Sequence, residues 1–339
     1  METKRYNQAT IGEAAAAIRA GQLVAFPTET VYGLGADATN EAAAKSVYTT
    51  KGRPSDNPLI VTVADPEMIA QFATITKPAA KLMKQFWPGP LTIILTIHPG
   101  ALSKTVTGGL KTAAFRMPQN RLTRKLIAEA GVPIVGPSAN KSGKPSPTTA
   151  EHVLHDFAGE IAGVLDDGPT TVGVESTIID LTVTPAAILR PGAIGPEALA
   201  PVVGAVDSEM HHVGADETPK APGMKYKHYA PAAQVIVVDE PTQFAAALKW
   251  AAASGQVYGV LAADDLLATI PPAVPRYSLG TNIQTATHAL FAGLRWFDLH
   301  PTVTLVLAQA YPAVGLGAAY MNRLLKSAGN EHFNPENVK

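Results

Sequence analysis

Cysteine is absent from the 339 residues. That absence excludes disulfides, thiolate nucleophiles, iron–sulfur clusters and cysteine-based zinc sites together. Excess charge of one sign is missing too: 27 basic and 28 acidic residues leave a net −1. No bulk positive field advertises nucleic acid, so a phosphate site must be assembled from a few local groups. No stretch approaches 18 apolar residues, and the opening METKRYNQATIGE holds no apolar segment. Neither a membrane span nor a signal peptide is expected, and the expected location is the cytoplasm. Standard nucleotide loops are missing: there is no G-x-x-x-x-G-K-[ST], and no G-x-G-x-x-G opening a helix after the first strand. His152 and His155 stand three apart without a third ligand, and His211-His212 lies in a polar stretch. No metal site built from side chains is expected.

What is present reads as an ordinary globular chain, 46% hydrophobic and 16% charged, of a length that suggests two domains. Gly 28 and Pro 28 make 56 of 339 residues, about 17% against roughly 12% in average usage, which favours structured turns over long helices. Short apolar runs alternate with helical stretches, so an α/β architecture is expected. Strand signals fall at 23–26, 59–63, 91–97, 113–115, 132–135, 163–165, 176–181 and 186–189. Thr10 with Glu13, and Thr148 with Glu151, have capping-box spacing, Asn40 can cap a helix carrying 42–47, and Asp65-Pro66 reads as an N-cap with Pro at N1. Residues 206–233 are polar, broken by Pro and Gly, and show neither period, which reads as a linker. After it, strands at 234–238, 257–261 and 304–307 alternate with helices at 244–253, 282–299 and 318–327. Three parts follow: a domain over 1–205, a linker over 206–233, and a smaller α/β domain over 234–339.

Several loop motifs stand just beyond strand signals. Pro27-Thr28-Glu29-Thr30-Val31-Tyr32-Gly33-Leu34-Gly35 follows the first run, its Gly33-Leu34-Gly35 reading as a tight turn. Lys51-Gly52-Arg53-Pro54 and Asn57-Pro58-Leu59 lie between a helix and a strand. Trp87-Pro88-Gly89-Pro90-Leu91-Thr92 reads as a rigid turn before the third strand. Phe115-Arg116-Met117-Pro118, Pro137-Ser138-Ala139-Asn140 with Ser142-Gly143, Pro145-Ser146-Pro147-Thr148, Glu175-Ser176-Thr177 and Leu189-Arg190-Pro191-Gly192 complete the set. Ligands of open α/β sheets collect outside strand ends, where such loops converge. Lys51, Arg53, Arg116 and Arg190 among many hydroxyls suit a polyanion, with Arg a fork for phosphate or carboxylate and Lys a point charge.

Together, and in this order, these motifs resemble the threonylcarbamoyl-AMP synthase family in its long, two-domain form. The segment Pro222-Gly223-Met224-Lys225-Tyr226-Lys227-His228-Tyr229-Ala230-Pro231 resembles the part peculiar to that form. The resemblance implies a YrdC-like twisted open sheet with flanking helices, plus a smaller Rossmann-like α/β domain at the C-terminal end. It implies that L-threonine, bicarbonate or CO2, and ATP become threonylcarbamoyl-AMP and pyrophosphate. A downstream tRNA threonylcarbamoyl transferase machinery then uses the product on the adenosine next to the anticodon, so no stable tRNA binding is expected of this chain. A carbamate oxygen attacking the α-phosphorus needs no deprotonation, so alignment and charge neutralisation suffice for that step.

Carried over motif by motif, the expected catalytic cations are Lys51, Arg53 and Arg190. ATP is expected on Arg53, Asn57, Thr112, Ser138, Asn140, Ser146, Arg190 and Tyr229, with Mg2+ held mainly by phosphates and waters. L-threonine is expected at Thr30, Thr62, Arg116, Gly136 and Ser176, with Arg116 facing its carboxylate. At the end of the N-P-L-I-V stretch the family commonly has His, and this chain has Thr62. A nucleotide-binding Tyr229 makes residues 206–233 an expected lid over a labile adenylate. The competing reading is a non-catalytic RNA-binding or ribosome-maturation module, which the balanced charge and the lack of aromatic-interleaved basic runs oppose. A hydrogenase-maturation protein sharing this unit would carry cysteine-rich zinc fingers, which a chain without cysteine does not have.

Overall fold

The computed structural model describes residues 2–208, 219–220 and 229–337. The described residues of 1–142, 147–171 and 175–226 form one unit, and those of 143–146, 172–174 and 227–339 form another. The linker motif at 222–228 and His211-His212 lie outside the described residues.

The first unit runs β1 (Lys4–Tyr6), α1 (Ile11–Arg19), β2 (Val24–Phe26), β3 (Gly33–Asp37), α2 (Glu41–Lys51), β4 (Ile60–Thr62), α3 (Lys77–Phe86), β5 (Leu91–Thr96), α4 (Lys104–Thr107), β6 (Thr112–Arg116), α5 (Arg121–Ala130), β7 (Ile134–Val135), α6 (Ala150–Phe157), β8 (Gly163–Leu165), β9 (Thr177–Asp180), β10 (Ala186–Arg190), α7 (Pro196–Val203) and β11 (Val206–Asp207). Its strands make one mixed sheet in the order β1-β8-β2-β3-β7-β4-β6-β5-β9-β10-β11. Alternation along the strands divides the core. Leu23, Ala25, Leu34, Val61, Ile93 and Phe115 face one cluster with residues of α2, α3 and α6. Val24, Phe26 and Ile134 face the other way, under α1 and α5. On that second face, β4, β6, β5 and β9 present only the small cluster Ile60, Ala114, Ile94 and Ile178. This apolar floor carries the candidate site.

Local chemistry sets most boundaries. Asn40 caps α2 by accepting from the Ala43 N–H, and Gly52 ends the helix in the left-handed region at φ 64°. Asp65 caps a 3-10 turn over Pro66–Ile69, as expected. Four expectations shift. Thr10 makes no side-chain cap to α1; its hydroxyl accepts from the Asn7 N–H instead, which replaces the expected capping box. The cap of α6 is Thr149, which accepts from the His152 N–H, and Thr148 stands one residue before it. Gly33-Leu34-Gly35 is part of β3, not a tight turn. Its glycines answer to packing: a Cβ on Gly33 would sit 2.6 Å from Phe26 Cζ, and one on Gly35 would sit 2.7 Å from the Val24 carbonyl. Lastly Val206–Asp207, at the start of the expected linker, pairs with β10 as β11.

The second unit runs β12 (Gln234–Val238), α8 (Phe244–Ala253), β13 (Tyr258–Ala262), α9 (Asp264–Leu267), β14 (Arg276–Ser278), α10 (Ile283–Asp298), β15 (Leu305–Gln309) and α11 (Leu316–Ala328). All pairings in its sheet, ordered β12-β15-β13-β14, are parallel. β13 and β14 are joined through α9, and β14 returns through α10 to β15 between its neighbours. That is the expected Rossmann-like α/β pattern. Residues 143–146 of the Ser142-Gly143 to Ser146 stretch pack within this unit: Ala230 N–H donates to the Gly143 carbonyl at 2.9 Å, and Lys144 pairs with Asp298 at 3.4 Å.

Candidate active site

Register builds the site. β4 and β6 are parallel with Thr62 opposite Arg116, and β5 is antiparallel to β6 with Thr92 opposite Arg116. Side chains two residues apart share a face. Thr62, Arg116, Thr92 and Ser176 therefore flank one end of the Ile60–Ala114–Ile94–Ile178 floor. Gly136, just past β7, abuts the same place: a Cβ there would lie 2.8 Å from Thr62 Oγ1 and 2.8 Å from Phe26 Cζ. Thr30 comes in from the loop between β2 and β3. That loop is shaped by Thr28, whose hydroxyl accepts from the Thr30 and Val31 N–H groups and donates to the Val31 carbonyl at 2.7 Å. All five residues expected around L-threonine thus come together.

Arg116 is the centre of this end. Its Nη1 donates to Thr30 Oγ1 at 2.9 Å and its Nη2 to Glu29 Oε1 at 2.8 Å. The ion pair is buried, with side-chain exposures of 9% for Arg116 and 4% for Glu29. Arg116 Nε is buried with no partner among the described residues. A buried N–H without an acceptor is costly and calls for an account. A carboxylate approaching the guanidinium supplies the missing acceptor.

Ser176 joins the two groups of expected residues. Its hydroxyl lies 2.7 Å from Thr92 Oγ1 and accepts from Arg190 Nη2 at 3.1 Å, while its carbonyl accepts from Arg190 Nε at 3.0 Å. Ser176, Thr92 and Arg190 are all buried.

Thr112 and Ser138 stand toward the opposite end of the strands, and Lys51, Arg53 and Asn57 reach that end from the last turn of α2 and the turn before β4. Thr112 opens β6 and Arg116 closes it, so they stand about 13 Å apart along the strand. Ser138 bridges to Gly33 across the strands, and Asn57 and Pro58 lead into β4 at that end. Arg53 Nη2 donates to the Pro58 carbonyl at 3.2 Å and borders an open cleft of about 930 Å³, lined also by Glu41, Lys45, Tyr48 and Thr105. Lys51, the last residue of α2, is buried, with Nζ donating to the carbonyls of Ser138 and of Asn140, the latter at 2.6 Å. It ties the Pro137-Ser138-Ala139-Asn140 turn to α2. Tyr48 OH donates to the carbonyls of Asn57, at 3.0 Å, and of Thr105, at 2.9 Å; burial pushes its pKa up to about 12, so it stays a donor. At this end Asp180, also buried, pairs with Lys220 at 3.1 Å.

Ser146 and Tyr229 belong to the second unit. Ser146 is fully buried, with its carbonyl accepting from Arg295 Nε at 3.4 Å. Tyr229 adopts φ 66° and packs its ring 5.0 Å from that of Phe291. Glu29 and Thr92 were not singled out by sequence, although both stand inside quoted motifs. Among the described residues no three metal-ligating side chains converge. No helix among them is long and apolar enough to cross a membrane.

Two family models cover the chain. One, described as telomere recombination, matches residues 16–192, and one described as the threonylcarbamoyl-AMP synthase C-terminal domain matches 194–329. The chain belongs to the threonylcarbamoyl-AMP synthase family. It is 45% identical to the threonylcarbamoyl-AMP synthase of Bacillus subtilis, over 97% of this chain and 99% of that one. It is 44% identical to the Pyrococcus abyssi enzyme of the same name, over 96% of each. A crystal structure of Pyrococcus abyssi Sua5 complexed with L-threonine superposes with a TM-score of 0.91 at 42% identity, covering 98% of this chain and 99% of that one. The two-domain α/β fold implied by the motifs is therefore the fold of solved relatives.

Proposed function

We propose that this protein makes L-threonylcarbamoyl-AMP and pyrophosphate from L-threonine, CO2 or bicarbonate, and ATP. The observation that carries this reading is the buried Arg116, whose Nε has no partner among the described residues, beside Thr30, Thr62, Gly136 and Ser176. It is supported by relatives that bear the synthase name and by one solved with L-threonine bound. L-threonine sits with its carboxylate on Arg116. Its amine, once unprotonated, adds to CO2 and gives up one N–H proton to solvent, leaving the carbamate. One carbamate oxygen then attacks the α-phosphorus, the bond to the β-phosphate oxygen breaks, and pyrophosphate leaves with its electron pair. Arg53, Asn57, Thr112, Ser138, Asn140 and Arg190 hold the nucleotide, with Lys51 fixing the turn that presents Ser138 and Asn140. Ser146 and Tyr229 are assigned to ATP on their motifs. Arg190, hydrogen-bonded to Ser176, couples the amino-acid and nucleotide groups and neutralises charge on the phosphates. Mg2+ enters as the complex of ATP, carried by phosphates and water. The product passes to a tRNA threonylcarbamoyl transferase machinery in the cytoplasm.

The test is pyrophosphate release with each substrate supplied or withheld, and the mass of the product. Release that requires all three, with a threonylcarbamoyl-adenylate mass, is expected. Release independent of threonine would overturn the assignment, and salt-sensitive RNA binding unaffected by ATP would move the RNA-module reading forward.

A further inference from the structure

Glu29 has no assigned part in this chemistry, yet it is a carboxylate 5% exposed beside the site's central cation. It is held from three directions. Oε1 accepts from Arg116 Nη2 at 2.8 Å, Oε2 accepts from the Gln119 backbone N–H at 3.0 Å, and its own carbonyl accepts from the Thr171 N–H at 3.0 Å. A carboxylate fixed at both oxygens and at its backbone cannot follow Arg116, so Arg116 must follow it. We infer that Glu29 is the positioning residue for amino-acid recognition: it locks the Arg116 guanidinium so that Nε is presented to the substrate carboxylate. This rests on the proposed assignment of Arg116 to L-threonine.

The same lock fixes the polarity of Thr30. Arginine can only donate, so Thr30 Oγ1 accepts from Nη1. Thr28 donates its single hydroxyl proton to the Val31 carbonyl, so in the 2.8 Å contact between the two hydroxyls Thr30 is the donor. Thr30 then has no proton left to give, and its remaining lone pair can only accept. A donor edge on Arg116 beside an acceptor on Thr30 is the polarity that an α-amino acid presents in reverse: a carboxylate beside an N–H-bearing nitrogen. Removing the Glu29 charge frees the guanidinium to rotate and undoes both halves.

The experiment compares L-threonine with L-threoninamide, which keeps the amine and side chain but lacks the carboxylate charge. Dissociation constants are measured by calorimetry on the full chain, with the KM for ATP alongside. The wild type is expected to prefer L-threonine. In Glu29→Gln that preference is expected to fall roughly ten- to a hundredfold, the worth of a hydrogen bond to a charged group, with the KM for ATP within about twofold. A merely structural loss would weaken both ligands alike and leave the preference intact, which would overturn the inference. Should Glu29→Gln not fold, Glu29→Asp serves: its shorter arm cannot reach Arg116 and Gln119 together, and a smaller fall is expected, while an unchanged preference overturns the inference equally. Arg116→Gln separates the two levels. If it abolishes the preference while both Glu29 variants keep it, Arg116 stands and Glu29 is dismissed. If it too keeps the preference, the carboxylate site is elsewhere and both readings fall.

Discussion

Replacing Gly136 by Ala tests the packing that shapes the amino-acid end of the site. The backbone there lies outside the left-handed region, so alanine meets no conformational bar, and only space decides. The new methyl would lie 2.8 Å from Phe26 Cζ and 2.8 Å from Thr62 Oγ1, well inside contact distance. Neither neighbour can yield freely. Phe26 is 1% exposed and its ring already lies against Gly33 and Gly35, while Thr62 is 3% exposed within β4. Inserting a methyl into such a core costs about 1–3 kcal/mol. The stiffer unfolded chain returns about 0.4–1 kcal/mol of that. A net loss of about 1–2 kcal/mol is expected, or roughly 2–8 °C of melting temperature in a domain of this size.

Two readouts separate the two clashes. Phe26→Leu in the same chain should relieve the ring contact, so the double variant should be more stable than the sum of the singles by about 0.5–1.5 kcal/mol, as expected for residues in contact. It should not relieve the push on Thr62, so the KM for L-threonine should stay raised in the double variant while the KM for ATP stays unchanged. Urea unfolding and pyrophosphate release measure these. A Gly136→Ala protein as stable as the wild type, or strictly additive with Phe26→Leu, would show that the three glycines do not frame Phe26 as described.

Other perturbations probe the remaining contacts. Ser176→Ala removes the acceptor for Arg190 Nη2 and the partner of Thr92, so the KM values for both L-threonine and ATP should rise by about tenfold, the scale of one hydrogen bond to a charged group; a change confined to one substrate would contradict the coupling role. Lys51→Met leaves the Ser138 and Asn140 carbonyls without their ammonium donor. Stability by urea unfolding should fall by about 2–4 kcal/mol, with ATP affinity falling too, and an unchanged ATP affinity would separate Lys51 from the nucleotide turn. Tyr48, whose pKa is raised to about 12 by burial, favours the neutral form in the folded chain. Its contribution is full below pH 10 and is lost as pH rises from 10 to 12, worth about 2–3 kcal/mol across that window. Tyr48→Phe should lose that much less stability than the wild type over the same range, measured by denaturant titration.

The strands were legible where apolar β-branched residues run together or alternate with Thr: 163–165, 234–238 and the run from 91 agree with β8, β12 and β5 to within a residue or so. The first β-strand beyond the Pro27 motif was not, because Gly33 and Gly35 lower its apparent β character, and the ring of Phe26 that requires them is invisible in a list of propensities. The caps at Thr10 and Thr148 failed for local reasons: the Thr10 hydroxyl accepts from the Asn7 N–H, and that of Thr148 lies 3.3 Å from His152 Nδ1 while Thr149 caps the helix. In the site, motif order supplied the residue types, since Arg, Lys and hydroxyls at strand ends point to anions. It could not supply the pairings of Thr62, Arg116 and Thr92, which come from strands separated by dozens of residues and exist only through register. Glu29 and Thr92 went unnoticed for that reason: each matters through the group it touches across the sheet.

The make-up of the site bears on which step carries a pH dependence. None of the residues assigned in the first unit is a histidine, and the N-P-L-I-V stretch ends in Thr62. Guanidinium groups stay charged throughout the working range, so Arg53, Arg116 and Arg190 cannot shape a profile near neutrality. Carbamate attack on phosphorus consumes no proton from the nucleophile, but forming the carbamate requires the substrate's amine in its unprotonated state. The rise of kcat/KM with pH is therefore expected to follow the amine of the amino acid and not a group of the protein. Amino-acid substrates whose amines are less basic should move the rise to lower pH by the difference in their amine pKa values. Glu29→Gln should lower the rate without moving the rise, because Glu29 acts through its hold on Arg116. A rise that stays in place when the substrate amine is changed would reveal a titrating base in the protein and refute this account.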